Sequence, residues 1–555
     1  MSFQWYKTWP QSVPKQIELL DMNVIDMLAQ HIPKNENNPY LQFSGVTWTY
    51  GQVYADVVAL ASFLHSKGVT SNDIISILMP NIPQYVIAFF AAQYLGCITT
   101  PLNILYVSSE FRHQLNDSGA TVLLTADFLY DNVIPIKDET PVKLVVSTSI
   151  GDVLPGLKAF LGKKLGKIPT PKTTDPTVIS WKDALSEGRK MKTAEKVTKD
   201  PDTVAILIYT GGTTGRSKGA MNSHRNLTFQ TSMLGIWTPH PMDPSEDAFV
   251  GALPLFHSYG LTVGLLSATF HGTRFILIPN PRDTKNLIEQ TSKLKATYLP
   301  GVPTLYISIL NYPDVKKYDL SSIKFCLSGA APLPLEVQKQ FEELTGAMLL
   351  EGYGLTETSP VSHANPTNGT RKIGSVGIPV PNTEARIVDL ETRKPLPVGE
   401  IGEICMRGPQ IMKGYWNRPE ETAKVIDSDG FFYSGDIGRM DENGFFYIVD
   451  RVKDMIIVSG YKVFPRDVEE VLFKHPAVQN CAVIGIPDER TTERVKAFIV
   501  LKEGYSTSKE EFFKYCEENL AQYRKPKEIE IRKDLPLSMV GKVLRRELKQ
   551  QETQK

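Results

Sequence analysis

A short apolar run, Val204–Ile208, leads directly into Tyr209–Gly219, YTGGTTGRSKG. No other stretch restricts the chain as strongly. Gly211, Gly212 and Gly215 permit unusual backbone angles and close approach of a ligand. Successive backbone N–H groups, the hydroxyls of Thr210, Thr213 and Thr214, and the ammonium of Lys218 can together wrap a polyphosphate. A plain hairpin turn needs one or two glycines. Here three glycines, three threonines and a lysine fall within nine residues. The segment is not a Walker A loop, because no Gly-Lys-Ser/Thr follows four residues after a glycine. A strand ending in an anion-binding loop predicts an α/β layer.

The preceding residues agree. Gly51–Ser66 has helical spacing, with Val53, Val57, Leu60, Ala61 and Leu64 on one face. Ile74–Leu78 reads as a buried strand, Pro83–Leu95 as a helix, and Thr121–Thr125 and Leu144–Ser147 as two further strands. Such alternation argues for α/β layers. The apolar stretch Tyr85–Leu102 is interrupted by Gln93, Gly96 and Pro101, so a core helix running into a strand is expected there, not a membrane span. From about residue 450 the texture becomes compact α+β, and Asp450–Asp454, DRVKD, reads as a charged hinge. The expected architecture is a large multi-layer N-terminal domain, 1–450, and a small mobile α+β domain, 451–555.

The 555 residues balance 61 Lys+Arg against 61 Asp+Glu. Without excess positive charge, a dedicated nucleic-acid binder is not expected. Five widely spaced cysteines make no zinc pattern and read as buried free thiols of a cytoplasmic protein. The N-terminus, MSFQWYKTWP, has no basic stretch followed by an apolar one, and ETQK is no organelle address, so targeting is not expected. Residues 150–172 carry Lys158, Lys163, Lys164, Lys167 and Lys172 against one acid, Asp152, while Leu154, Leu157, Leu161, Leu165 and Ile168 have helical spacing. Two readings stand. One is a surface helix with its lysines in water. The other is a basic amphipathic helix in peripheral contact with an anionic bilayer.

YTGGTTGRSKG resembles the phosphate loop of the adenylate-forming superfamily, which includes acyl-CoA synthetases, peptide-synthetase adenylation domains and beetle luciferases. Further motifs stand in the family's order: LPLFHSYG (Leu253–Gly260), SGAAPL (Ser328–Leu333), EGYGLTET (Glu351–Thr358), YSGDIG (Tyr433–Gly438) with DRVKDMI (Asp450–Ile456), and LPLSMVGKVLRREL (Leu535–Leu548). The resemblance spans nearly the whole chain. NPRD at Asn280–Asp283, VGIPVPNTEARIVD at Val376–Asp389, the double glycine and the basic insertion make it most similar to long-chain fatty-acid–CoA ligases. Ser217 stands where many members have proline.

The resemblance implies ATP-dependent activation of a carboxylic acid as acyl-AMP, then transfer to coenzyme A. It implies a phosphate site formed by 210–215 and Lys218, with Thr356 beside it and Glu357 as the Mg2+ ligand. It implies nucleotide contacts from Glu351, Gly352, Tyr353 and Gly354, with Tyr353 stacking adenine, and from Asp436 and Arg451 on the ribose. Lys542 is the implied adenylation lysine and Lys453 the hinge residue. Ser459, Gly460 and Tyr461 are implied on the coenzyme A side, although Ser459 stands where many relatives have lysine. His257, Tyr259, Gly329, Ala330 and Leu355 are implied around the acyl group. A medium-chain or aromatic acid–CoA ligase and a catalytically lapsed nucleotide-binding module are the alternatives. The oligomeric state, monomer or homodimer, stays open.

Overall fold

The structure is a computed structural model that describes residues 3–173, 175–210, 216–488, 490–538 and 543–553. Its largest sheet has seven strands, in the order Ile179–Ser180, Leu144–Thr148, Val122–Ala126, Ile74–Leu78, Ile98–Pro101, Val204–Thr210 and Lys218–Ser223. Neighbours are parallel except for the last pair. Every residue of Ile74–Leu78 and Val122–Ala126 is buried. That is why these strands are continuously apolar: a parallel sheet is covered on both faces. The helices Tyr50–Ser66 and Pro83–Tyr94 supply part of the cover. Tyr50–Ser66 is started by a reciprocal cap between Thr49 and Gln52, and His224–Trp237 by the same device between Ser223 and Asn226.

Two four-stranded sheets follow. One runs Ala248–Gly251, Arg274–Leu277, Pro39–Phe43, Val46–Thr49, and the other Phe325–Ser328, Met348–Gly354, Val361–Ala364, Ile378–Pro379. Tyr298 bridges Phe249 of the first and Phe325 of the second, which sets them edge to edge. A fourth sheet, fully antiparallel, comprises Glu384–Val388, Gly402–Arg407, Phe432–Met440 and Phe446–Arg451. One large apolar core draws members from Trp5 to Phe446, beside a small satellite of Val388, Cys405, Phe431 and Tyr433. The residues after Arg451 build a separate five-stranded sheet with its own apolar clusters, among them Ile456, Val483, Ile499 and Ile529.

The large and small units, and the α/β character, thus match the expectation. Pro83–Tyr94 is a wholly buried helix leading to the strand Ile98–Pro101, as Tyr85–Leu102 suggested. Among the described residues no helix is long and apolar enough to cross a membrane. All five cysteines are buried and unpaired.

Gly188 closes the helix Trp181–Gly188 against Tyr50–Ser66, where an added Cβ would stand 1.9 Å from the carbonyl oxygen of Ala59. Gly188→Ala must push the two helices apart and should cost about 1–3 kcal/mol. Urea or thermal unfolding reads this directly, and an unchanged midpoint would refute the packing argument.

Candidate active site

Three strands from two sheets end at one place. The last residues of Val204–Thr210, Phe325–Ser328 and Met348–Gly354 all line a cavity of about 930 Å³. Ligands of open α/β sheets collect at the carboxyl ends of strands because the chain leaves the sheet there and exposes backbone groups. Thr210 lies on this wall and is paired with Lys218 across an antiparallel hairpin. Gly211, Gly212, Thr213, Thr214 and Gly215 lie outside the described residues. The Lys218 ammonium lines the cavity, pairs with Glu421 at 2.9 Å and sits 4.5 Å from the Tyr415 ring centre.

The floor is held by one carboxylate. Asp436 accepts the Tyr353 hydroxyl at 2.7 Å on one oxygen, and Arg451 Nε lies 3.0 Å from the other. Asp436 and Arg451 are cross-strand partners in the fourth sheet. The Tyr353 ring is thereby fixed at the cavity edge. A carboxylate offers about four lone-pair positions, so this Asp436 retains acceptor capacity for ligand hydroxyls. Gly354 is demanded by a different neighbour than a ligand: a Cβ there would stand 1.6 Å from the Pro360 carbonyl oxygen. Glu351 precedes this floor and is not on the cavity wall; its carboxyl is pushed up to about 7 by burial, against the opposing pull of Arg466.

Glu357 is buried, and its carboxylate accepts the Tyr415 hydroxyl at 2.8 Å. Burial raises its pKa, and the Tyr415 bond counters that rise. The hydroxyls of Thr356 and Ser258 approach to 3.4 Å. Among the described residues no cluster of three or more His, Cys, Asp or Glu could hold a metal ion. A lone carboxylate beside a phosphate site is nonetheless what Mg2+ uses, since waters and phosphate oxygens complete its shell.

His257 and Tyr259 also line the cavity, Tyr259 as the first residue of a buried π-helical stretch, Tyr259–Leu266, a rare form frequently found at functional sites. His257 Nδ1 accepts the Tyr259 backbone N–H at 3.2 Å, which puts the proton of the neutral ring on Nε2. The Tyr259 hydroxyl donates to the Leu327 carbonyl. Gly329, Ala330 and Leu355 also line the cavity. The space beside Gly329 holds the Tyr259 ring, 3.1 Å from where a Cβ would stand. Ala330 has φ +67°, a strained left-handed conformation of the kind that gathers at active sites.

The small unit reaches the same cavity. Lys453 and Ser538 line it, next to Arg451 at the end of the large unit's last strand. Burial and the neighbouring Arg451 push Lys453 down to about 8. Lys542 lies outside the described residues, but Leu537 and Val543 on either side of its segment are bridge partners. Arg545 is held by Glu469 at 2.7 Å and Asp454 at 3.3 Å, with Asp450 at 3.7 Å. Asp450, pushed up to about 6 by burial, also receives the Arg466 N–H that opens the helix Pro465–Phe473. Ser459, Gly460 and Tyr461 are not on the cavity wall. Ser459 and Gly460 have φ of +49° and +83° in a two-residue hairpin turn, where both central residues need positive φ. A Cβ on Gly460 would meet nothing within 4 Å, so the turn requires the glycine and no tight wall does.

Sequence reasoning missed Tyr415, Arg418 and Glu421. Arg418 pairs with Asp117, which also accepts the Tyr209 hydroxyl. These partners are separated along the chain by 58 residues or more, and no local motif announces them.

The comparisons agree with this geometry. The AMP-binding enzyme family matches residues 28–416, and the AMP-binding enzyme C-terminal domain matches 467–542. The chain belongs to the AMP-binding enzyme family. It is 40% identical over 557 residues to a long-chain-fatty-acid–CoA ligase of Bacillus subtilis, covering 99% of this chain and 98% of that protein. The crystal structure of the anthranilate CoA ligase AuaEII with anthranoyl-AMP superposes with a TM-score of 0.84 at 27% identity, covering 96% of this chain and 98% of that one. ATP-bound MatB from Rhodopseudomonas palustris gives 0.81 and apo MatB 0.73, each at 28% identity and with coverage of 96% and 99%.

The raised Glu351 carboxyl has a consequence for stability. Between about pH 4.5 and pH 7 the folded chain holds a proton there that the unfolded chain has lost, so this group's contribution falls as pH rises. Lys453 acts in the opposite sense between about 8 and its ordinary 10.5. In urea unfolding, Glu351→Gln should gain stability relative to the unsubstituted protein as pH rises from about 4.5 to about 7. Parallel profiles would contradict the assignment.

Proposed function

We propose that the chain is an AMP-forming fatty acid–CoA ligase. The reading rests most on one observation: Tyr353, Asp436 and Arg451, Thr356 and Glu357, His257, and Ser538 of the small unit all face a single cavity. The sequence relationship to long-chain-fatty-acid–CoA ligases supplies the substrate class.

A carboxylate is a poor acyl donor because its leaving group would be oxide. Attack of its oxygen on the α-phosphorus of ATP forms the acyl–phosphate bond and breaks the bond to pyrophosphate. This is chemistry of positioning and charge neutralisation. Asp436 would hold the ribose hydroxyls, with its other partners fixing its angle, and Tyr353 would offer its ring to adenine. Thr356, Thr210 and Lys218 would bind phosphate oxygens, Lys218 exchanging its Glu421 contact for them. Mg2+ held by Glu357 would neutralise charge on the departing pyrophosphate. Lys542 would bridge the acyl carboxylate and the α-phosphate as charge develops; its flanking Ser538 at the cavity supports that placement.

The thiol sulfur of coenzyme A then attacks the acyl carbonyl, and AMP leaves. For this step the small unit, 451–555, would turn about Lys453 and bring Ser459–Tyr461 towards the cavity. The exposed Tyr461, stacked on Tyr523 at 4.8 Å, suits a surface that docks in only one of two orientations. His257 and Leu355 would line the acyl entrance.

Pyrophosphate release should rise with acid chain length. Each buried methylene adds ~0.8 kcal/mol, so four added methylenes improve binding by up to about two-hundredfold. Thioester should form only when coenzyme A is present. Activity confined to aryl or amino acids would refute the fatty-acid reading. Lys542→Ala should abolish adenylate formation by at least about a hundredfold yet spare thioester formation from supplied acyl-adenylate. Equal loss of both half-reactions would contradict the proposed turn of the small unit.

A further inference from the structure

The helix Gly156–Lys164 is packed the reverse of an ordinary surface helix. Its small residues face the protein. Ala159 Cβ lies 3.4 Å from where a Cβ on Gly151 would stand, and a Cβ on Gly162 would stand 2.7 Å from Ile168 Cδ1. Ile168 folds back beneath the helix and is buried. The large apolar residues face outward: Leu157 is 74% exposed, Phe160 62%, Leu161 45% and Leu165 66%. At ~100° per residue these four fall within an arc of about 140°. A helix that needed only a stable seat on the domain would turn this arc inward, since exposing it forgoes the hydrophobic gain.

Within the segment every charge but one is positive, while Asp131 on a neighbouring element accepts the backbone N–H groups of Lys172 and Thr173. Lys158, Lys163, Lys164, Lys167 and Lys172 are exposed. Lys164 lies within the apolar arc, and Lys158 is tied to the Ser44 carbonyl at the helix flank. Asp152, the one acid in 150–172, is paired with Lys182 at 3.1 Å. The segment therefore presents a net positive, apolar-faced surface.

We infer that this face docks on the anionic surface of a phospholipid bilayer, with Phe160 and the leucines entering the boundary below the headgroups and the lysines on the phosphates. Long lysine stems allow the charge to stay at headgroup level while apolar neighbours go deeper. A second copy of this chain is a poor occupant. In a two-fold interface the same patch meets itself, which would set these lysines against their own copies. The surface lies outside the cavity, so the inference does not depend on the ligase reading. If that reading also holds, docking brings the enzyme to where fatty acids partition.

The test is co-sedimentation of the full chain, without substrates, on phosphatidylcholine vesicles made with and without phosphatidylglycerol. Binding should require phosphatidylglycerol and weaken at least about tenfold in high salt, where the Debye length shrinks to a few ångströms. The variant L157S/F160S/L161S should lose most binding at every salt. The variant K163Q/K164Q/K167Q should lose the salt-sensitive part. Both should keep the unsubstituted melting temperature, since the changed side chains are exposed. Absence of binding at low salt would overturn the inference. So would equal binding by the variants, or a concentration-dependent dimer that the triple serine variant abolishes.

Discussion

The site depends on the carboxylate of Asp436. Its two oxygens take the Tyr353 hydroxyl and the Arg451 guanidinium, and in doing so tie the end of a central strand to the last two strands before the hinge. Asp436 is nearly inaccessible, and a buried charge of this kind is tolerable only when paired and hydrogen-bonded. The pairing sets where the aromatic ring stands, where the cavity floor lies and from which point the small unit departs. Arg451 is both a partner of the floor and the last residue of the large unit's final strand, so the cavity floor and the chain's exit from the large unit share one ion pair.

A second charged group continues the link. Arg545, three residues beyond Lys542, gathers Glu469, Asp454 and Asp450, and Asp450 in turn caps the helix Pro465–Phe473. Arg545 itself is therefore fastened to Glu469 and Asp454 through half-buried charge-assisted bonds, each stronger than a neutral one.

The fold was legible wherever a segment's own periodicity decided its structure. Ile74–Leu78 and Leu144–Ser147 sit at or within one residue of their strands, because burial on both faces leaves a continuous apolar run. The motif-borne residues Tyr353, Thr356, Glu357, Asp436 and His257 converge on one cavity, since the loops at strand ends carry them there. The illegible part consists of pairings set by tertiary approach. Tyr415 answers Glu357 across 58 residues and Glu421 answers Lys218 across 203. The need for glycine at 354 and 460 was hidden too, because it comes from the Pro360 carbonyl and from a left-handed turn. The inward and outward faces of Gly156–Lys164 were also hidden, because leucine spacing alone does not say which side the domain occupies.

The most direct test of the central claim is calorimetric titration of AMP into the unsubstituted protein and Asp436→Ala. Removing a buried, charge-assisted acceptor should weaken AMP binding by about ten- to a hundredfold, equivalent to ~1.5–3 kcal/mol, while the circular dichroism spectrum stays unchanged. Unaltered AMP affinity in a folded Asp436→Ala protein would contradict the account.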